Sequence, residues 1–432
     1  MPEQDDPQNI GQSMFGLAEE LFPICRSITG DGVRQTLSII QRELPNLTIH
    51  EVPSGTKCFD WVVPPEWNIR DAYIIDPSGD KVVDFNKSNL HVVSYSTPVD
   101  ESMSLDELQE HLYSIPDDPD AIPYITSYYE EKWGFCLTHN QRENLKPGTY
   151  KVVIDSTLKL GHLTYGELIL PGSTAEEVLI STYVCHPSMA NNELSGPIVT
   201  SFLGKWLSEL SDRRYTYRII FIPETIGSIC YLSKNIEQMK KNVVAGFNVS
   251  CIGDDRGYSY IASRKDGTLA DRIVNHVLEF KVDRFTKYSF LERGSDERQY
   301  CAPGVDLPVV TVMRGGFNDF PEYHTSRDDL TVISPEGLFG GYELLRTCIE
   351  CLEMNLKPVT KILCEPQLSK RDLYPQLSTK EYNVNVRNLM NVIAYSDGQT
   401  GLLEMAERFG SPMWEMYDIL AILLQAEIVS VE

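Results

Sequence analysis

The spacing of apolar positions changes twice along the chain. Between residues 9 and 45, Met14, Leu17 and Leu21, then Leu37, Ile40 and Leu44, recur at helical intervals and predict two helices. The stretch between them, Cys25-Arg-Ser-Ile-Thr-Gly-Asp-Gly32, reads as a turn. From about 51 to 165 the runs shorten. Ala72-Tyr-Ile-Ile-Asp76, Leu90-His-Val-Val-Ser-Tyr95 and Tyr150-Lys-Val-Val-Ile-Asp155 are separated by Pro-Ser-Gly-Asp and Lys-Pro-Gly turns. This predicts an antiparallel β-rich module, with one helix suggested over Leu105 to Leu112.

From about 166 onward strands and helices alternate. Val178 to Val184, Tyr217 to Ile222, Val243 to Ile252 and Val309 to Val312 read as strands, and Ile198 to Leu210, Gly227 to Met239, Leu269 to Phe280 and Leu345 to Met354 as helices. Alternation of this kind predicts a mainly parallel sheet with helices on both faces. In the C-terminal segment, Leu389 to Ala394, Leu402 to Phe409 and Met413 to Leu424 read as helices, and Glu427 to Val431 as a β-like end, a pattern that fits a winged helix.

Ligands of open α/β sheets gather where the chain leaves the carboxyl ends of strands. The segment after the first of these strands, ending at Ser195-Gly196, carries His186, Asn191, Asn192 and Glu193. After the second comes Glu224, which suits either a general base for an attacking water or the N-terminus of a helix. After the third, Asp254 and Asp255 suit a metal, a substrate amine or a turn. The fourth exit carries Tyr323-His-Thr-Ser326, and a second histidine at the same sheet edge favours shared metal ligation.

Composition narrows the classes. A chain of 432 residues should form more than one domain. Its formal charge of −24 argues against nucleic acid or an anionic membrane as partner. Between Tyr382 and Glu432 the only bases are Arg387 and Arg408, too few to neutralise DNA phosphates, so the winged helix is expected to pack on its own chain or on a partner subunit. No apolar run reaches membrane-spanning length and Met-Pro-Glu-Gln-Asp-Asp lacks the features of a leader, so a cytoplasmic location is expected. The ten cysteines read as reduced and mostly buried, with Cys348 and Cys351 on a helix rather than in a redox or metal pair.

In chain order, His186, Asn-Asn-Glu-Leu-Ser-Gly196, Glu224, Ser295-Asp-Glu-Arg-Gln-Tyr-Cys-Ala-Pro-Gly-Val-Asp-Leu-Pro308 and Tyr323-His-Thr-Ser326 resemble zinc aminopeptidases with co-catalytic metals, whose scaffold glutaminyl cyclases share. More closely, the chain resembles bacterial aminopeptidase-like proteins encoded among polysaccharide or natural-product biosynthesis genes. That resemblance implies a peptidase-like α/β domain (residues 1–50 and 166–360), an inserted β-rich domain (51–165) and a C-terminal winged helix (366–432). Against the two-zinc pattern, the bridging aspartate falls at Asn192, with Glu193 beside it, a second metal-binding glutamate at Thr225 and an aspartate at Ser250. These losses leave ligands for one zinc ion: His186, His324 and a carboxylate, Glu193, with Asn192 the weaker alternative. Glu224 matches the general base. Asp254, Arg293, Asp296, Arg298 and Tyr323 are candidates to bind substrate: Asp296 a free amine, the arginines a carboxylate or phosphate, or else an internal ion-pair network. The expected activity is hydrolysis of an amide bond in a small molecule or peptide bearing a free amine. The rivals are acyl transfer or cyclisation on the same scaffold and a catalytically silent binding protein; a homo-oligomer is compatible with either.

Overall fold

The computed structural model describes residues 7–317, 320–371, 373 and 380–431. Met1–Asp6, on which the expectation of no leader rests, and part of the segment from 366 onward lie outside the described residues. The chain divides into two compact units, residues 1–271 with 286–343, and residues 272–285 with 344–432.

The first unit is built on an eight-stranded sheet: β1 (Thr48–Pro53), β2 (His162–Leu170), β3 (Glu177–Tyr183), β4 (Thr216–Ile222), β5 (Val243–Val249), β6 (Ser259–Ile261), β7 (Thr286–Tyr288) and β8 (Val309–Met313), in the spatial order β1-β2-β4-β3-β5-β8-β6-β7. Neighbours β4, β3, β5 and β8 are mutually parallel. Every residue of β3, β5 and β8 but Val244 is buried, which is why they read as continuous apolar runs rather than alternating ones. The helix Ser195–Glu209 packs closely on this sheet because Gly196 has no side chain: a Cβ there would lie 2.4 Å from Thr182 Oγ1 and 2.5 Å from the Val249 carbonyl oxygen.

The β-rich module is inserted between two paired strands. Thr48–Pro53 and His162–Leu170 form an antiparallel ladder from Thr48–Glu167 to Pro53–His162, so the main sheet claims both flanks that the sequence pattern assigned to the module. Between them Glu66–Ile75, Lys81–Asp84, Val99–Ser104 and Thr149–Lys159 form a separate four-stranded sheet. Leu90 to Tyr95, expected as a strand, instead holds a helical turn over Asn89–His91 and isolated bridges from Val92 to Phe135 and from Ser94 to Thr126. Tyr95 sits at φ 73°, where no strand can continue. The helix expected over Leu105 to Leu112 stops at Gln109, its start fixed by a capping box of Ser104 and Glu107.

In the second unit, helices Lys380–Ala394, Leu402–Phe409 and Glu415–Gln425 are joined by an antiparallel pairing of Val359–Thr360 with Val429–Ser430. Leu402, Met405, Met416, Leu420 and Leu423 face inward, and Gly410 ends the middle helix in the left-handed conformation.

Candidate active site

Because β4, β3, β5 and β8 lie side by side and parallel, the chain leaves all four at one edge, and Glu224, His186, Cys251 and His324 follow those exits. Thr225 (φ 64°), Cys251 (φ 46°) and His324 (φ 56°) all occupy the left-handed region. Each such residue costs about 1–3 kcal/mol, and such costs gather at functional sites.

The two histidines, 138 positions apart in the chain, come together with ring centroids 5.6 Å apart and planes inclined at 42°. Tyr124, from the inserted module, turns its ring edge toward both at 5.3 Å, and its backbone N–H donates to the His324 carbonyl at 2.9 Å. Tyr323 stacks on His324 at 3.9 Å. Burial, then the neighbouring His186 charge, pushes the His324 imidazole down to about 3, so it is neutral with a lone pair free for a cation.

Glu193 braces His186 with one of its oxygens. Its Oε2 meets His186 Nδ1 at 2.9 Å and accepts the His186 backbone N–H at 2.9 Å, while Oε1 lies 3.2 Å from Arg26 Nε. Oε2 thus holds the ring through Nδ1 and leaves Nε2 for another partner, while Oε1, beside Arg26, is buried with no hydrogen-bond partner among the described residues. Burial works to lower the His186 imidazole, but the Glu193 hydrogen bond and charge outweigh it and hold the group above its ordinary value. Cys185, His186 and Glu193 offer ligand atoms within 4.8 Å of one another. Yet Cys185 Sγ accepts the Glu224 N–H at 3.2 Å, and burial with the Glu193 and Glu224 charges pushes its thiol well up, away from the thiolate a metal needs.

The segment carrying Asn191, Asn192 and Glu193 is not an open loop. Ala190–Leu194 forms a π-turn that runs into the helix Ser195–Glu209, and all three side chains are buried. Asp328 fastens it, accepting the N–H groups of Asn191 at 2.7 Å and Asn192 at 2.8 Å on its two oxygens. Asn192 Nδ2 donates to Tyr183 Oη at 3.0 Å, whereas its Oδ1 is buried with no partner among the described residues.

Glu224 Oε2 lies 3.9 Å from His186 Nε2. Burial raises its carboxyl, against the pull of His186 and Arg298. Asp296 Oδ1 accepts the Thr225 N–H at 2.8 Å and the Ser228 hydroxyl at 2.7 Å; Oδ2 is buried without a partner among the described residues, and burial followed by the Glu224 charge lifts the carboxyl to about 7. Arg298 donates to the Ser295 carbonyl at 2.9 Å and to Thr225 Oγ1 at 3.0 Å. Ser250, at another lost metal-ligand position, shares a hydrogen bond with Tyr183 Oη at 2.7 Å.

Two candidate substrate residues are placed elsewhere. Arg293 is exposed, over the Phe290 ring and bonded to the Phe290 carbonyl. Asp254 is buried as a brace, accepting Asn191 Nδ2 at 3.1 Å and the Arg256 N–H at 3.1 Å. A cavity of about 370 Å³ opens on His186 and Glu224, and Thr126 to Glu130, Lys132 and Trp61 of the inserted module form much of its wall. Sequence reasoning missed three contributors. Arg26 lay in a stretch read as a turn, Asp328 two residues beyond the Tyr323–Ser326 segment, and Tyr124 in the module, each with partners far away in the chain.

The fold and the placement of this edge define an aminopeptidase-like α/β scaffold followed by a winged helix. The chain belongs to the family described as a domain of unknown function (DUF4910), which matches residues 15–355, and residues 357–431 match a winged helix-turn-helix family. A Clostridium acetobutylicum protein named for polysaccharide biosynthesis and an aminopeptidase-like domain is 46% identical over 406 residues, covering 93% of this chain and 92% of its own. A crystal structure from the same organism, described as a peptidase, has a TM-score of 0.92 at 43% identity and covers 99% of this chain and 97% of its own. The fold extends to the zinc aminopeptidase BSAP of Bacillus subtilis, TM-score 0.59 at 11% identity, over 82% of this chain and 96% of that one. No helix among the described residues is long and apolar enough to cross a membrane.

Proposed function

We propose that this protein is a zinc-dependent hydrolase that cleaves an amide bond of a small substrate and releases an amine. The observation that carries the reading is the pairing of two imidazoles beside a half-buried carboxylate: His186 and His324 with centroids 5.6 Å apart, and Glu224 3.9 Å from His186 Nε2. The donor set suits one divalent ion. His186 presents Nε2, His324 is neutral, and Asn192 Oδ1 and Glu193 Oε1, both buried without a hydrogen-bond partner among the described residues, are the candidates for a third ligand, Asn192 giving an uncharged set. When bound, zinc would polarise the scissile carbonyl and make water a stronger acid. Glu224 takes a proton from the attacking water and returns it to the leaving nitrogen. Glu193 and Arg26 hold the His186 ring in place, and Tyr323 and Tyr124 flank the imidazoles.

The test is metal analysis of the purified full chain together with mass spectrometry of products formed in ¹⁸O-labelled water. One zinc per chain and one label per product acid are expected; product without label would place the protein among acyl transferases instead. Because the set with Asn192 carries no charge, Asn192→Asp should tighten zinc. A unit charge about 4 Å from another is worth about 1–4 kcal/mol between bulk-water and near-surface screening, so competition with a chelator should show about a tenfold gain or more. No gain would remove Asn192 from the ligand set.

The winged helix is read as a packing module rather than a DNA reader. Arg408 is paired with Glu404 at 2.6 Å, and residues 357–431 carry seven lysines and arginines against nine acids, a poor balance for meeting phosphates. Anisotropy with labelled duplex DNA at 150 mM salt should show no binding at micromolar protein; salt-sensitive binding would reverse this assignment.

A further inference from the structure

The inserted module brings an aromatic corner to the mouth of the site. Trp61 and Tyr129 meet at 5.6 Å with planes at 70°, and both line the cavity that ends on His186 and Glu224. They are open to solvent, 40% and 51% exposed, although large aromatic residues normally bury most of their surface. Their presentation is built in. Tyr129 sits at φ 65°, in a region that bulky residues avoid, and its hydroxyl is tied to the Val62 carbonyl at 3.1 Å, so backbone strain and a hydrogen bond hold the ring outward instead of letting it collapse on the core. Phe59, in the same hairpin as Trp61, is also exposed at a positive φ of 54°.

The rest of the wall is mixed, with Ile28, Tyr128 and Ile226 adding apolar surface and other residues polar groups. Thr126, Ser127, and an ion pair of Lys132 with Glu130 at 2.7 Å stand beside the rings. Aromatic faces set among hydroxyls, charges and aliphatic patches suit a ligand with C–H faces and a polar perimeter. A pyranose ring is such a ligand: its axial C–H groups carry partial positive charge toward the negative face of an aromatic ring, and its hydroxyls point outward. At about 370 Å³ the cavity is at the small end for ligand sites, enough for a monosaccharide with an acyl group but not for an extended chain. We infer that the substrate is an N-acylated amino sugar, its ring seated in the Trp61–Tyr129 corner and its amide directed to Glu224 and the two histidines. This deepens the hydrolase reading by naming a substrate class, and makes the sugar amine the product.

Binding can be separated from turnover. The probes are N-acetylglucosamine and N-acetylleucinamide, titrated by saturation-transfer NMR into the full-length zinc-loaded Glu224→Gln protein, alone and with Trp61→Ala or Tyr129→Ala added. The sugar is expected to bind, with tenfold or greater weakening by either aromatic substitution, while N-acetylleucinamide binds more weakly and is little affected. Both side chains are exposed, and unchanged circular dichroism and zinc content would show that the variants fold. N-acetylleucinamide binding more tightly than the sugar and losing affinity in Trp61→Ala would overturn the proposal in favour of an apolar side-chain subsite; so would sugar binding indifferent to both substitutions. Sugar binding without hydrolysis by the wild type would sink the hydrolase reading alone, and hydrolysis of amino-acid amides without sugar binding would sink the sugar alone.

Discussion

Glu224→Gln is expected to lower kcat by on the order of a hundred- to ten-thousand-fold, the usual contribution of a positioned general base. The replacement keeps size and one carbonyl oxygen but cannot accept the proton of the attacking water. Glu224 is not among the groups assigned to the ion, so zinc content should stay at one per chain and substrate binding should change little. The argument is geometric first: the carboxylate stands at the carboxyl end of β4, 3.9 Å from His186 Nε2, at the wall of the cavity. Its surroundings agree. Burial raises its carboxyl against the pull of His186 and Arg298, the direction a general base needs. Steady-state kinetics with metal analysis on the same preparation reads both halves, and an active, zinc-loaded variant would strike Glu224 from the mechanism.

Arg26→Ala should be the most damaging substitution away from the reacting groups, costing roughly 3–5 kcal/mol because it leaves the buried Glu193 charge uncompensated. Arg26 is wholly buried. Nε donates to the His186 carbonyl at 2.9 Å, and Nη1 to the Leu21 carbonyl at 2.9 Å and to Thr36 Oγ1 at 3.3 Å. One guanidinium thus joins the first helix, the second helix and the histidine loop. Loss of the pair should also free the His186 ring and weaken zinc binding. Urea denaturation measures the first effect and chelator competition the second. If Arg26 acts through Glu193 charge, Arg26→Met with Glu193→Gln should recover part of the stability lost by Arg26→Met alone; no recovery would mean that the lost hydrogen bonds, rather than the charge, dominate.

Much of the scaffold was legible because it is local. Strands such as Val243 to Val249 announce themselves by continuous β-branched and apolar runs, and helices such as Ile226–Asn242 by periodicity after a polar exit. The failures fall where partners are distant. Leu90 to Tyr95 has the composition of a strand, but its carbonyls and N–H groups are met by the 125–135 segment and its end turns left-handed at Tyr95. Glu193 shows the same limit within the site. Its nearness to His186 in sequence made it a natural ligand, and only the fold shows that its Oε2 braces the His186 ring while its Oε1 lies beside Arg26.

By itself, then, the sequence determined the alternation of elements, the parallel sheet, the winged-helix end and the identity of the chemically able residues, since each depends on neighbours within a few turns of chain. Only the tertiary structure decided which of them meet. It brought His324 to His186, turned Asn191 and Asp254 into a buried brace, left Arg293 in solvent and set Trp61 and Tyr129 over the cavity. The physical reason is that a side chain's role follows from its charge, burial and hydrogen-bond partners, and here those partners lie as many as 209 positions away along the chain, as for Arg327 and Asp118.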